Sequence, residues 1–113
     1  MKTLKFTPEL TEKILTGEKT STWRLFDDKD LQGGDELIFV NKETGKAFGT
    51  ATIINLYTKT LGTLEDKDWE GHERFASEEE MYATYRTYYG DKVNSNSEVK
   101  VITFVFKPRH ENN

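Results

Sequence analysis

The sequence predicts an α+β fold, a small β-barrel of about five to six strands capped by two main helices. The segments follow the order β-α-β-β-β-α-β, the β-rich segments are long, and only two segments have helical periodicity. A short turn joins two of the long β segments, which favours antiparallel pairing. These features disfavour a doubly wound parallel sheet, in which helices alternate with the strands.

The first part of the chain is predicted to form a strand, a helix and a second strand. Residues 3–6 alternate polar and apolar side chains, as a strand does. Thr7 is a good N-cap, Pro8 suits the first helical position, and Gly17 ends the helix as a C′ residue. The second strand is predicted over residues 20–25.

The middle of the chain predicts a β-hairpin. Residues 36–41 form a nearly continuous apolar run, which is typical of a strand covered on both faces. Residues 42–45 then form a turn in which Gly45 takes a positive φ, and residues 46–59 return as a long strand. Gly49 predicts a bulge or a sharp bend within that strand.

The last part of the chain predicts a helix and a final strand. Ser77 and Glu80 match a capping box, so a helix begins there, and Gly90 ends it. The tyrosines of this helix are predicted to pack in the core, with a base-stacking platform as the alternative. Residues 99–106 are predicted to form the last strand.

The composition predicts one cytoplasmic domain without disulfides. We expect a single domain over residues 1–107, followed by a disordered tail over residues 108–113. The chain has no cysteine, which excludes disulfides and thiol chemistry. No apolar run approaches the roughly 18 residues that span a bilayer, and the N-terminus lacks the apolar region of a signal peptide. We therefore expect no membrane partner.

The charge is negative overall and unevenly spread. The formal net charge is −4, and residues 65–80 hold eight acids against two bases, which leaves a net of +2 on the rest. This balance argues against DNA and long RNA as partners, while a mildly basic face could meet a nucleoside or a short RNA. Most of the clustered acids are predicted to form a solvated loop.

The segment from Gly17 to Arg24 holds the candidate site. Strand alternation places Thr20, Thr22 and Arg24 on one face. Lys19 converges with Thr22 only if it lies in the turn after Gly17 or if the strand is bulged. A lysine held near a hydroxyl in a desolvated cleft has a lowered pKa and can act as a base. The alternative interpretation is polar decoration of an ordinary edge strand.

Other kinds of chemistry have less support in the sequence. His72, Glu73 and Glu70 lie close enough along the chain to bind a metal, but a solvated loop is the favoured interpretation. There is no G-x-S-x-G motif around a serine and no phosphate-binding P-loop. We therefore predict neither a metal nor a cofactor.

The motifs of this chain resemble those of the ASCH domain family. The mark of that family is a helix that ends in G-x-K, a strand with T-x-[TE]-x-R, and a Gly-Asp turn before an apolar strand. The corresponding segments are Gly17-Glu18-Lys19, Thr20-Ser21-Thr22-Trp23-Arg24 and Gly34-Asp35-Glu36-Leu37-Ile38. Softer matches are Glu70-Gly71, Ser77-Glu78-Glu79-Glu80-Met81 and Tyr88-Tyr89-Gly90, so the resemblance covers almost the whole chain. It implies a PUA-like β-barrel, a fold associated with RNA.

One branch of compact bacterial ASCH proteins consists of amidohydrolases that act on N4-acetylcytidine through a Lys, a Thr three residues later and a downstream Glu. The resemblance implies that these catalytic residues are Lys19, Thr22 and Glu73. The third position is open: alignment back from Gly90 gives Glu73, counting forward from the preceding strand gives His72, and Glu70 is a further candidate. Thr20, Arg24 and Glu70 are the residues predicted to bind substrate.

The favoured function is therefore an amidohydrolase that removes an acetyl group from N4-acetylcytidine or a related modified nucleoside. A non-catalytic RNA- or nucleotide-binding module is the first alternative. A ribonuclease is the second alternative, although no His pair or acidic metal cluster explains cleavage. The predicted partner is a modified nucleoside or a short RNA, and the predicted state is a monomer or a weak homodimer.

Overall fold

The computed structural model describes residues 1–109, which fold around one five-stranded sheet. The strands are β1 (Lys2–Phe6), β2 (Ser21–Leu25), β3 (Glu36–Asn41), β4 (Ala47–Thr60) and β5 (Glu98–Pro108), and the helices are α1 (Pro8–Leu15) and α2 (Glu78–Tyr89). The strand order is β1-β3-β4-β5-β2; β1 runs parallel to β3, and the other neighbours are antiparallel. This half-barrel with two helices confirms the predicted small α+β barrel of PUA-like type.

Both helices begin at the predicted caps. The Thr7 hydroxyl accepts a hydrogen bond from the backbone N–H of Leu10, and the Ser77 hydroxyl accepts one from that of Glu80. Gly17, with φ +84°, ends α1 and turns the chain toward β2. Within residues 1–109, the helices are too short and too polar to cross a bilayer.

The predicted bulge near Gly49 is present. Phe39 pairs with Gly49 but the next residue, Val40, pairs with Ala47, so one residue of β4 has no partner at this point. A Cβ on Gly49 would lie 2.4 Å from the carbonyl oxygen of Lys107. Glycine is therefore required where β4 passes the carbonyl group of Lys107 on β5.

The core has two parts, one on each face of β5. On one face, Ile102 and Phe104 pack toward α1 and β3. On the other face, Val99 and Val101 pack toward Trp23 and α2. The members of the first cluster are Leu4, Phe6, Ile14, Leu31, Leu37, Phe39, Ala51, Ile53, Ile102 and Phe104. The members of the second are Trp23, Leu25, Leu61, Met81, Tyr85, Val93, Val99 and Val101.

The last strand extends into the segment that the sequence assigned to a disordered tail. Pro108 is the final residue of β5 and pairs with Gly49, and the N–H of Arg109 donates to the carbonyl oxygen of Phe48 at 3.0 Å. The prediction is wrong for these two residues because the long β4 supplies partners beyond residue 106. The rest of the predicted tail, residues 110–113, lies outside the described residues.

Candidate active site

Lys19 is buried in the turn between α1 and β2. Its backbone N–H donates to the carbonyl oxygen of Lys13 at 3.0 Å, which folds the turn back onto the helix. Its side chain is 1% exposed, and Nζ donates to the carbonyl oxygen of Ser21 at 2.6 Å and to Oε1 of Glu73 at 2.5 Å. Lys19 thus adopts the first of the two arrangements that the sequence allowed, in the turn after Gly17.

Gly71 attaches the loop that carries Glu73 to the start of β2. Its carbonyl oxygen accepts hydrogen bonds from the N–H groups of Thr20, at 2.9 Å, and Ser21, at 3.0 Å. Gly71 has φ +73°, and a Cβ there would lie 2.1 Å from Oγ1 of Thr20. Only glycine allows this approach, which brings Glu73 to Lys19 from more than 50 residues along the chain.

A second attachment, the Asp68 anchor, fixes the same loop to β4. The buried Asp68 carboxylate accepts hydrogen bonds from the Tyr57 hydroxyl at 2.5 Å, from Lys59 Nζ at 2.7 Å and from the Glu65 N–H at 2.7 Å. Burial alone would raise the pKa of Asp68, but the hydrogen bonds from Lys59 and Tyr57 hold it below its ordinary value. Burial and the Asp68 carboxylate together raise the pKa of Tyr57 to about 12.

His72 is enclosed by aromatic rings. Its ring stacks on Trp23 with centroids 4.0 Å apart. Nδ1 lies 2.7 Å from the carbonyl oxygen of Glu73, which can only accept, so Nδ1 carries the proton and Nε2 accepts from the Tyr85 hydroxyl at 3.3 Å. Burial, with the charge of Lys19, lowers the pKa of His72 to about 3. The expected solvated loop is therefore wrong at His72, which is buried and neutral at neutral pH.

Lys19 and Glu73 form a desolvated ion pair. Burial lowers the pKa of Lys19, and the attraction of Glu73 opposes this shift without cancelling it. Burial would raise the pKa of Glu73, but the charge of Lys19 and its hydrogen bond hold it below its ordinary value. Glu73 is thus ionised at neutral pH, and Lys19 gives up a proton more readily than a lysine in water.

A cavity of about 410 Å³ opens between β1 and β2, the two edge strands of the sheet. Thr22, Arg24 and Glu73 line it together with His72 and Tyr85. Lys19 does not line this cavity, although it touches Glu73, which does. The three predicted catalytic residues therefore meet at one site, with Thr22 and Glu73 at the cavity and Lys19 in contact with Glu73.

Arg24 crosses the cavity from one edge strand to the other. Its Nη2 donates to the carbonyl oxygen of Lys5 on β1 at 3.0 Å. The guanidinium carbon lies 4.7 Å from the ring centroid of Phe6. Its Nε is buried and has no hydrogen-bond partner among residues 1–109. Arg24 thus closes the open side of the half-barrel next to the site.

Two residues predicted to bind substrate lie elsewhere. Thr20 is exposed and packs against Gly71. Glu70 is also exposed and borders a different groove, beside Asp68 and Lys59. Neither residue lines the cavity, and Glu73 rather than Glu70 contacts Lys19. Across residues 1–109, no group of three or more acidic, His or Cys side chains is placed to hold a metal ion.

Several residues that line the cavity had no signal in the sequence. Lys5 on β1, Lys29 in the loop after β2 and Lys42 in the β3–β4 hairpin come from three separate segments. These three lysines converge only because the sheet curves, so neither motif nor periodicity could have revealed them. Tyr88 also lines the cavity; the sequence predicted core packing for the tyrosines of α2 with a base-stacking platform as the alternative, and Tyr88 is 45% exposed.

Solved structures share this fold. The ASCH domain from Lactobacillus crispatus JV V101 matches with a TM-score of 0.65 at 16% identity, over 87% of this chain and 70% of that chain. The ASCH protein from Zymomonas mobilis matches with a TM-score of 0.62 at 20% identity, over 94% of this chain and 68% of that one. The hypothetical protein PH0355 matches with a TM-score of 0.70 at 26% identity, over 96% and 100% of the two chains.

The similarity to ASCH structures establishes the fold. A scan against protein-family models found no match, and a search of curated proteins found none either. At identities of 16% and 20%, the ASCH structures show a common fold and carry no statement about substrate. The ASCH-type fold predicted from the motifs of residues 17–38 is therefore confirmed at the level of architecture.

Proposed function

From its ASCH-type fold and this cavity, we propose that the chain is an amidohydrolase that removes the acetyl group from N4-acetylcytidine or a related modified nucleoside. The observation that carries the proposal is the buried Lys19–Glu73 ion pair, which adjoins a cavity whose lining includes the Thr22 hydroxyl. Desolvated pairs of titratable groups beside a cavity are typical of sites for proton transfer. The size of the cavity lies within the range of about 300–1,000 Å³ that is usual for small-molecule sites.

The first step is attack on the acetyl carbonyl carbon. The nucleophile is the Thr22 hydroxyl or a water molecule that this hydroxyl orients. The proton that the nucleophile releases passes to the Glu73 carboxylate, which lines the cavity and is ionised at neutral pH, while the Lys19 ammonium group beside it holds that carboxylate in position. The carbonyl electrons move onto the oxygen to give a tetrahedral intermediate.

The second step breaks the amide bond. As the carbonyl re-forms, the C–N bond cleaves, and Glu73 returns the proton to the exocyclic nitrogen, so that cytidine leaves with a neutral amine. If Thr22 has been acylated, a water molecule repeats the same proton transfers and releases acetate. Lys19 acts through Glu73, because it contacts Glu73 and does not line the cavity.

The test is the release of cytidine from N4-acetylcytidine by the purified protein, measured by chromatography. We expect Lys19→Ala, Glu73→Gln and Thr22→Ala each to lower kcat at least 100-fold, which is the usual contribution of a positioned acid, base or nucleophile (about 10²–10⁴). Glu70→Gln is the matched control for Glu73→Gln, and Thr20→Ala is the control for Thr22→Ala. Both controls should stay within about threefold of wild type, because neither residue lines the cavity.

Two results would contradict the proposal. One is the absence of cytidine release at high enzyme concentration, and the other is a Lys19→Ala protein as active as wild type. Either result would favour the competing function, a module that binds a nucleotide or RNA without chemistry. The exposed Tyr88 ring at the cavity supports that alternative, since exposed aromatic rings offer a stacking surface to bases.

A further inference from the structure

We infer that the ligand of this cavity carries a phosphate group, so that the substrate is a modified cytidine mononucleotide rather than a free nucleoside. The inference rests on the proposed function and adds the charge of the substrate to it. It comes from three lysines, Lys5, Lys29 and Lys42, which we call the lysine rim. All three are exposed and line the same cavity as Thr22 and Glu73.

The side chains that line the cavity carry a charge opposite to that of the chain. They include four cations, the lysine rim and Arg24, and a single carboxylate, that of Glu73. Lys19 already neutralises Glu73 at 2.5 Å, and His72 is uncharged. The chain as a whole has a net charge of −4. A cleft lined by one sign of charge concentrates ligands of the opposite sign.

The charges of the lysine rim are free to meet a ligand. Within residues 1–109, no carboxylate forms an ion pair with Lys5, Lys29 or Lys42, whereas other lysines of the chain do form such pairs. Lys2, Lys59 and Lys100, for example, each contact an aspartate at 2.7–2.8 Å. Three unpaired ammonium groups around one cavity fit a compact dianion such as a phosphate, and a neutral nucleoside gives them nothing to bind.

The distribution of charge favours a mononucleotide over an RNA strand. A strand needs several cationic contacts spaced along its backbone, and its binding weakens steeply with salt. Here three unpaired lysines gather at one cavity, and Glu73 belongs to the segment 65–80, which has a net charge of −6. The exposed Tyr88 ring lies next to the lysine rim, since Nζ of Lys42 is 5.9 Å from the ring centroid of Tyr88. One base on Tyr88 and one phosphate on the lysine rim therefore suffice to occupy the cavity.

The experiment compares kcat/KM for N4-acetylcytidine 5′-monophosphate with that for N4-acetylcytidine, at low and at physiological salt. We expect the wild-type protein to prefer the nucleotide by about tenfold or more at low salt, because each exposed charge pair contributes about 0.2–1 kcal/mol, or up to about fivefold. In the double variant Lys29→Gln, Lys42→Gln the preference should fall to within about threefold of unity. Lys46→Gln, in the same hairpin as Lys42 but outside the cavity lining, should keep it.

Every outcome decides the inference. The inference is overturned if the wild-type ratio of kcat/KM for the nucleotide to that for the nucleoside is near one, or if the double variant has the same ratio as the wild type. It is also overturned if the protein prefers a short oligonucleotide that carries the modified base to the mononucleotide. If neither compound is hydrolysed, the proposed function fails, and calorimetric binding of cytidine 5′-monophosphate against cytidine decides instead. Tighter binding of the nucleotide that depends on the lysine rim supports the phosphate site; equal or absent binding of the nucleotide overturns it.

Discussion

Burial acts in the same direction on the two bases of the site, Lys19 and His72. It lowers the pKa of each, because the charged form of a base loses more solvation than the neutral form. They differ in their partners. Lys19 contacts the Glu73 carboxylate at 2.5 Å and keeps its charge. Nδ1 of His72 donates to the Glu73 carbonyl oxygen at 2.7 Å and lies 3.4 Å from the same carboxylate, but His72 stays neutral because burial and the charge of Lys19 outweigh the attraction of that carboxylate.

The neutrality of His72 predicts a pH dependence of stability. The pKa of His72 is about 3 in the folded protein and about 6.5 in the unfolded chain, so below pH 6.5 only the unfolded chain binds the proton. The stability contributed by the neutral ring is therefore complete above pH 6.5 and is lost as the pH falls toward 3. Between pH 7.5 and 5.0 the loss should be about 2 kcal/mol of the free energy of unfolding.

The comparison is with His72→Asn, which keeps a donor near the carbonyl of Glu73 but does not titrate. Both proteins are unfolded in urea at pH 7.5 and at pH 5.0, so that the contributions of the titratable groups they share cancel in the comparison. The wild type should lose about 2 kcal/mol more than the variant over this interval. Equal losses would mean that His72 is charged in the folded protein and that the assigned hydrogen-bond direction is wrong.

The loop between β4 and α2 presents two groups of the site, and it has little regular structure. Its attachments are side-chain contacts: the Asp68 anchor at one end and the Gly71 carbonyl at the other. The loop contains two short 3₁₀ turns, Leu61–Thr63 and Asp66–Trp69, and Asp68 belongs to the second. The position of Glu73 therefore depends on these attachments rather than on a helix or a strand.

The two lysine ion pairs of this loop predict unequal stability effects. Lys59→Gln leaves the buried Asp68 carboxylate without its cation, which should cost about 2 kcal/mol of unfolding free energy, less than the 3–5 kcal/mol of a fully buried pair because Lys59 is 21% exposed. Lys67→Gln removes an exposed pair with Glu65 and should change it by less than about 0.5 kcal/mol. Urea unfolding measures both. A Lys59 variant as stable as the Lys67 variant would show that the Asp68 anchor does not hold the loop.

The same loop contains contacts that could not be predicted from the sequence. The helix caps at Thr7 and Ser77 and the turn at Gly17 are local signals, and all three are present in the structure. The sequence predicts that most acids of residues 65–80 are solvated, but composition does not show which one is buried. Asp68 is enclosed by partners from β4, 9 and 11 residues earlier in the chain, and no local pattern indicates such contacts.

The architecture of the whole molecule explains why the site could be predicted only in part. Lys19, Thr22 and Arg24 belong to one motif, so the sequence placed them together. Thr20 shares that motif, but it packs against Gly71 outside the cavity. The lysine rim comes from three segments that meet only when β1 and β2 become the two edges of one curved sheet. The small α+β barrel was predictable from the order of helices and strands along the chain, whereas the residues at its open side were not.

Arg24 spans that open side of the half-barrel. We therefore expect replacement of Arg24 to destabilise one edge of the sheet, strand β1, more than the rest. Arg24→Met keeps an apolar stem but loses the hydrogen bond to the carbonyl of Lys5 and the contact with Phe6. A hydrogen bond from a charged group contributes about 1.5–3 kcal/mol, so we expect about 2 kcal/mol of destabilisation. Since β1 is an edge strand paired only with β3, its amide hydrogens should exchange faster relative to those of β4 and β5.

Arg86→Met is the matched control for this prediction. Arg86 also donates to a carbonyl, that of Val93 at 3.1 Å, and its guanidinium also lies over an aromatic ring, that of Tyr82 at 5.6 Å. It does not connect the two edge strands, so its loss should lower the unfolding free energy without selectively exposing β1. Hydrogen exchange measured by mass spectrometry separates the two cases. If β1 is as well protected in Arg24→Met as in Arg86→Met, the half-barrel is held closed without Arg24, and the cavity does not depend on a bridge between its edges.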